Sequence, residues 1–205
     1  MQYLKLKEQL KDFIVFSIGE IQKIYPAFHK QRLSEWQKKG YLKKIINEYY
    51  IFSDLDINES ALFVIANNIY QPSYISLETA LSHYHLIPES VYAITSTTSR
   101  ITRNFNTKVA QFIFRKIKPE LMFGYKLIRY KNQNFKIAEI EKAILDYFYI
   151  NAGLKKDSDF QGLRINSRSF KEQVDMKKFA NYLKQFHNKA LKKRVNKFLE
   201  FQLHA

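Results

Sequence analysis

Isoleucines 18, 21 and 24 recur every third residue behind Ser17, and Glu20 stands three positions after that serine, the spacing of a capping box. The pattern predicts a short helix capped by Ser17 that stops at Tyr25, ahead of Pro26. A second apolar stripe, Leu33 and Trp36 with His29 beside them, predicts a helix from about Phe28 to Lys39, and Gly40 supplies its left-handed stop. Beyond the glycine the period changes. Tyr41 to Ile46 and Tyr49 to Phe52 are β-branched and aromatic runs on either side of Asn47 and Glu48, which is a hairpin signal. Upstream, MQYLKLKEQLKDF alternates charge with leucine and reads as a first amphipathic helix, with Leu4, Leu6, Leu10 and Phe13 turned toward the helices that follow. Helix, turn, helix, hairpin is the order of a winged helix-turn-helix.

The stretch Ser53 to Glu59, SDLDINE, carries three carboxylates between two apolar runs and marks the expected boundary between a domain of residues 1–53 and one of residues 54–205. After it, Ser60 to Tyr70 and Leu77 to Tyr84 are helix candidates, the second with Ser76 as its cap. Strand candidates follow at Val91 to Thr97, Val109 to Lys116, Leu127 to Tyr130 and Asn134 to Ile137. The pattern from Ala138 to Ile150 turns helical, with Ile140, Ile144, Leu145 and Phe148 on one stripe. From Asp159 onward the chain is helical: Asp175 caps a run carrying Phe179, Tyr182, Leu183 and Phe186, and a last helix carries Leu191, Val195, Phe198 and Leu199. The expected fold is therefore α+β: an N-terminal winged helix-turn-helix followed by a small mixed α/β domain with a helical C-terminal tail.

Charge gives this order of elements a direction. The chain has 34 Lys+Arg against 19 Asp+Glu, a net charge of +15, so attraction to nucleic acid or an anionic surface follows from the overall field. The ends are basic and the middle is nearly balanced: net +5 over residues 1–53, +2 over 54–150 and +8 over 151–205. On the second helix, Lys30, Gln31, Ser34 and Lys38 form the polar face with Arg32 and Glu35 on its flanks; these side chains can donate to base edges in a major groove. Lys39, Lys43 and Lys44 suit phosphates, where each contact releases counterions. In the last helix Lys189, Lys193 and Lys197 share a face and form a second candidate contact, against the alternative of a plain solvated surface. Without cysteine the chain has no disulfides and no thiolate metal site, which fits a reducing, cytoplasmic setting. No apolar run approaches the ~20 residues a membrane helix requires.

Candidate chemistry is sparse. His83 and His85 are two apart, no His-x-x-x-His pair exists, and neither Glu78 nor Glu89 stands at ligand spacing from them, so no metal is expected. The five glycines, at 19, 40, 124, 153 and 162, are isolated and exclude a Gly-rich phosphate loop; no cofactor is implied. The run Thr95 to Ser99 with Arg100 suits either a phosphate-contacting loop or, as the preferred reading, a strand end entering a polar hairpin. Glu139, Glu141 and Asp146 with Lys142 form the one acidic cluster that could serve a metal-dependent nuclease. The usual Glu/Asp-x-Lys pair on a strand is missing, since the only such match is Asp175-Met176-Lys177 at a helix start, and the preferred reading is helix-start carboxylates that favour the dipole and pair with neighbours.

The segment YISLETALSHYHLIPE at 74–89, then VYAITSTTSR, FIFRKIKPELMFGY and KIAEIEKAILDYFY, resembles the AbiEi-type antitoxins, transcriptional repressors of bacterial abortive-infection toxin–antitoxin operons. KKGYLKKIINEYYIF is similar to that family's N-terminal domain and DMKKFANYLKQFHNKALKKRVNKFLEF to its C-terminal helices, so the resemblance covers nearly the whole chain in one order. At the wing the chain departs from the family, where an arginine and a glycine often precede the last tyrosine and this sequence has Asn47, Glu48, Tyr49 and Tyr50. The resemblance implies a non-enzymatic bacterial repressor that binds inverted repeats in its own promoter, as a monomer or an operator-induced dimer. It implies a second domain that counters a nucleotidyltransferase-like toxin without needing a stable complex, direct contact being left open. A divergent nuclease and a purely protein-binding adaptor are the alternatives.

Overall fold

In the computed structural model, which describes residues 2–88 and 92–204, helix α1 runs over Tyr3–Leu10 and helix α2 over Ile18–Ile24. Ser17 caps α2 as its spacing predicts: its hydroxyl accepts from the Glu20 amide at 3.2 Å, and the Glu20 carboxylate accepts from the Ser17 amide at 2.6 Å. Helix α3 is shorter than expected, Gln31–Lys38, because Phe28 drops into the core while His29 and Lys30 stay exposed in the turn before it. His29 thus lies off the Leu33–Trp36 stripe. Gly40 takes the left-handed φ of 74° that ends α3, and strands β2 (Leu42–Ile46) and β3 (Tyr49–Phe52) follow.

A two-residue strand the sequence did not announce, β1 (Phe16–Ser17), pairs with β3 and completes a three-stranded antiparallel sheet in the order β1-β3-β2. The first helix packs by the expected face with one exception, Phe13 joining Leu6 and Leu10 against the N-terminal cluster. Leu6 and Leu10 are fully buried, but Leu4 is 71 % exposed, and Tyr3 takes its place by stacking on Tyr41 with ring centroids 4.5 Å apart. Leu6, Leu10, Phe16, Ile21, Leu33 and Trp36 share one core cluster confined to this stretch.

The larger core is built on a six-stranded mixed sheet in the order β6-β7-β5-β4-β9-β8. Its strands are β4 (Ser73–Ile75), β5 (Ala93–Thr98), β6 (Arg103–Asn106), β7 (Gln111–Lys116), β8 (Tyr125–Tyr130) and β9 (Gln133–Ala138). The strand expected from Val91 begins at Ala93 among the described residues; Val91 itself, like Glu89, lies outside them. Helix α4 (Glu59–Ile69) starts on the Asn58 side chain, which accepts from the Ala61 amide at 3.0 Å and donates to the Tyr130 hydroxyl at 2.8 Å. Ala61, Phe63, Val64, Ile65 and Ala66 are all fully buried, so α4 is apolar around most of its circumference and is a core helix. Ile14, Val15, Ile45 and Ile51, from the N-terminal stretch, belong to the same cluster as α4.

Helix α5 (Leu77–His83) precedes β5, and α6 (Ile140–Ile150) follows β9 with Ile140, Ile144, Leu145 and Phe148 buried as their spacing predicts. The tail folds as α7 (Asp157–Gly162), α8 (Ser167–Gln173), α9 (Met176–Gln185) and α10 (Lys189–His204), with α9 and α10 packed on α6. Asp175 caps α9 through the amides of Lys177 at 2.8 Å and Lys178 at 3.1 Å.

Three polar readings are corrected by burial. Thr95 to Thr98 do not lead into a hairpin or a phosphate loop: they are the buried body of β5, with β4 on one side and β7 on the other. Ser76 does not cap α5 with its side chain, because its hydroxyl donates to Asp146 at 2.9 Å; Thr95, from the neighbouring strand, accepts the Thr79 amide at 3.0 Å instead. Asp146 and Lys142, one turn apart on α6, are both fully buried and ion-paired, so neither is a helix-start carboxylate or a solvated lysine. Lys142 also donates to the Tyr74 hydroxyl at 2.7 Å, and Tyr74 donates to Asp146 at 2.8 Å, closing a ring of three. Phe123 and Phe186 wall in the ammonium with ring centroids at 4.9 Å and 5.1 Å. Burial presses the Lys142 ammonium down and the Asp146 carboxyl up in pKa, while their mutual attraction opposes both.

Breaking this pair leaves a buried charge without a partner. Asp146→Asn is expected to lower unfolding stability by about 3–5 kcal/mol in urea, whereas Lys142→Met combined with Asp146→Leu recovers most of the loss. The Asp175 cap has a pH signature. The amides of Lys178 and Lys177 hold its carboxyl below the ordinary range, so its contribution is present above the unfolded pKa of about 3.9 and disappears as pH falls through the lower folded value. Acid titration followed by the amide signals of α9 should show a loss in that window that Asp175→Asn, which still caps but does not titrate, removes.

Candidate nucleic-acid interface

Leu33 and Trp36 anchor α3 in the N-terminal core, and that single orientation decides which side chains face outward. Lys30, Gln31, Ser34 and Lys38 are all exposed. Positions 30, 34 and 38 are successive i, i+4 neighbours, so the expected polar face forms one strip along the helix and the turn before it. Arg32 is half-buried and borders the hollow of the turn between α2 and α3 with Tyr25, Phe28 and His29. Gln37 is turned back to donate to the Leu33 carbonyl at 3.0 Å. Glu35 is the one carboxylate of α3, against Arg32 and Lys38 within it and Lys30 and Lys39 at its two caps.

The hairpin adds Lys43, half-buried, and Lys44, exposed on β2. Its tip is tied down. Glu48 adopts a φ of 67°, its carbonyl accepts from the Ile18 amide at 3.0 Å, and Lys44 donates to the Asn47 side chain at 3.0 Å. The tip therefore folds back on the start of α2, and the reach of the hairpin is short. Beside it opens a groove of about 370 Å³, lined by Gln37, Lys43, Lys44, Asn47 and, from the β6–β7 turn, Lys108. Lys108 carried no local signal: β6 has the sequence RNFN, which shows no apolar alternation, so neither the strand nor its turn could be read.

The second expected basic strip is less open. Lys189 and Lys193 are exposed on α10, but Lys197 donates to the Lys155 carbonyl at 3.3 Å and pairs with Asp157 at 3.4 Å, across to the start of α7. Two of the three lysines stay in solvent and the third fastens a helix.

The acidic cluster is dispersed by its partners. Glu139 pairs with Lys178 at 2.7 Å and accepts from Tyr182; burial raises its pKa, but those two hydrogen bonds outweigh burial and hold it below the ordinary value. Glu141, buried, accepts from the Asp175 amide at 3.0 Å, and Asp146 is sealed in its pair with Lys142. No group of three His, Cys, Asp or Glu placed to hold a metal ion occurs among the described residues. Lys142 and Asp146 have no exposed surface, whereas Glu139 keeps part of its side chain in solvent.

No protein-family model matches the chain, and no curated protein matches it. Among the described residues no helix is long and apolar enough to cross a membrane.

The junction between α3 and the hairpin depends on Gly40. A Cβ there would meet nothing within 4 Å, so the cost of substitution comes from the positive φ alone. Gly40→Ala is expected to lose about 1 kcal/mol in thermal or urea unfolding, with no change in the salt dependence of any nucleic-acid binding.

Proposed function

We propose that the chain is a DNA-binding transcriptional repressor that reads duplex DNA with the exposed face of α3 and steadies itself on phosphates with the β2–β3 hairpin. In this reading the N-terminal stretch is a winged helix-turn-helix and the rest of the chain is the antitoxin part of a toxin–antitoxin pair. The observation that carries it is the strip formed by Lys30, Gln31, Ser34 and Lys38 on a helix whose opposite face is locked by Leu33 and Trp36. A major groove admits a helix of this width, and base edges demand donors held in fixed register. The sheet order β1-β3-β2, with α2 and α3 between the first two strands in sequence, supports the winged arrangement.

Within this reading the hairpin works differently from a long wing. A tip bound to α2 lies along the backbone, and its lysines supply affinity without reading sequence. The antitoxin role rests on the family resemblance, and the promoter of the chain's own operon is the proposed target, opposed to a nucleotidyltransferase-like toxin.

Binding to the region upstream of its own gene, measured across a salt series, tests the proposal. The expected result is a preference for that region over unrelated duplex. Gln31→Ala with Ser34→Ala should cost about 1–3 kcal/mol per lost base contact and erode the preference, and Lys39→Ala should lower the salt slope by about 0.9 without changing it. Equal affinity for all duplexes overturns the repressor reading; unchanged affinity after replacing Lys30, Gln31, Arg32 and Lys38 favours the adaptor instead.

A further inference from the structure

The groove beside the hairpin is made by two distant parts of the chain. Lys43, Lys44 and Asn47 come from the β2–β3 hairpin, and Lys108 comes from the turn that joins β6 to β7. None of the residues lining it is acidic, and the Lys44 ammonium donates to the neutral Asn47 side chain. Lys43, Lys44 and Lys108 all border this hollow with no acid among its lining residues, and an anion with several oxygens is the partner such a basic rim suits. The turn holding Lys108 is fixed before any ligand arrives: the Thr107 hydroxyl accepts from the Val109 and Ala110 amides, each at 3.2 Å, and donates to the Ala110 carbonyl at 2.7 Å.

A second feature holds the two parts in place. Gln133, the first residue of β9, receives the Ile14 amide at 2.7 Å and the Val15 amide at 3.3 Å on its side-chain oxygen, and donates to the Val15 carbonyl at 3.1 Å. One amide side chain thus stands in for a neighbouring strand along the segment that enters β1. In the order β6-β7-β5-β4-β9-β8, Gln133 and Lys108 belong to the hairpins at opposite edges. The N-terminal stretch therefore spans the sheet, clasped at one edge and bordering the basic turn at the other.

We propose that Lys108 completes with Lys43 and Lys44 a single seat for a backbone phosphate of duplex nucleic acid, and that Gln133 is the positioning residue that keeps the seat assembled. The proposal rests on the DNA reading above, and the variants separate the two. Salt slopes of duplex binding are measured for Lys43→Ala, Lys108→Ala and Gln133→Ala, with hydrogen exchange at the Ile14 and Val15 amides and a melting curve for each. Lys43→Ala and Lys108→Ala should each lower the slope by about 0.9. Gln133→Ala, which removes no charge, should speed exchange at both amides and lower the slope as much as Lys108→Ala does, and the double variant should lose no more than either alone.

A slope lowered by Lys43→Ala but not by Lys108→Ala overturns the composite seat and leaves the DNA reading standing; a slope lowered by neither overturns the seat and the hairpin's phosphate contact, while base reading by α3 is decided separately by the promoter preference. A slope unchanged in a folded Gln133→Ala removes the clasp from the proposal. Should that variant fail to fold, Gln133→Asn, one methylene shorter and unable to reach both Ile14 and Val15, decides the same point by the same slope.

Discussion

The pairing of Lys142 with Asp146 inside the larger core is the constraint to which most of its neighbours answer. Withdrawing both charges from water costs several kcal/mol per ion, and only a complete set of partners offsets it. Tyr74 and Ser76 on the β4 side supply hydroxyls, which fixes how β4 meets α6. Ser76 is then unable to cap α5, and Thr95 takes over the cap from β5. Phe123 and Phe186 close over the ammonium, and at Gly124 a Cβ would come within 3.1 Å of the Lys142 side chain, so even the bend before β8 is shaped by the same lysine. Each of these adjustments follows from one buried charge pair.

The N-terminal stretch is organised by a different principle, local stereochemistry followed by aromatic packing. The capping box at Ser17 and the left-handed Gly40 set where α2 starts and α3 ends, and Trp36, Tyr3, Tyr41 and Phe52 then lock α1 and the hairpin around α3. What local rules do not set is the angle at which this stretch meets the sheet. That falls to Gln133 and to Ile14, Val15, Ile45 and Ile51, whose burial in the larger cluster removes the freedom a linker would otherwise give.

This contrast explains what could be read from the sequence. The capping box, the glycine stop and the hairpin were legible because each depends on residues a few positions apart, and the stripe of α6 was legible because one helix face carries it. β4 and β6 were not: SYI is too short for any period, and RNFN has its apolar partner Phe105 flanked by exposed polar residues. The hydroxyl run of β5 read as a strand end running into a polar hairpin, because the partners of Thr95, Thr79 and Ser76, are supplied by another element. Lys142 and Asp146 had the spacing of a solvated helix pair, and only tertiary burial distinguishes that from a sealed one. At the interface, the α3 strip was readable from period alone, whereas Lys108 became visible only when the sheet brought its turn beside the hairpin.

Net charge is a poor guide to where such a protein acts, because several of its lysines do ordinary work. Lys197 fastens α10 to the loop before α7, Lys178 neutralises Glu139, and Lys142 is enclosed altogether. The groove between the β2–β3 hairpin and the β6–β7 turn differs in lacking any carboxylate among its lining residues, and in being assembled by hydrogen bonds made elsewhere: the Thr107 turn on one side, the Gln133 clasp on the other. In the proposed seat a phosphate would meet lysines whose backbone is already placed by the fold, so part of the cost of binding is met during folding. That preparation distinguishes a seat from a merely basic surface. On that proposal, the orientation of the N-terminal stretch on the sheet is part of the binding chemistry.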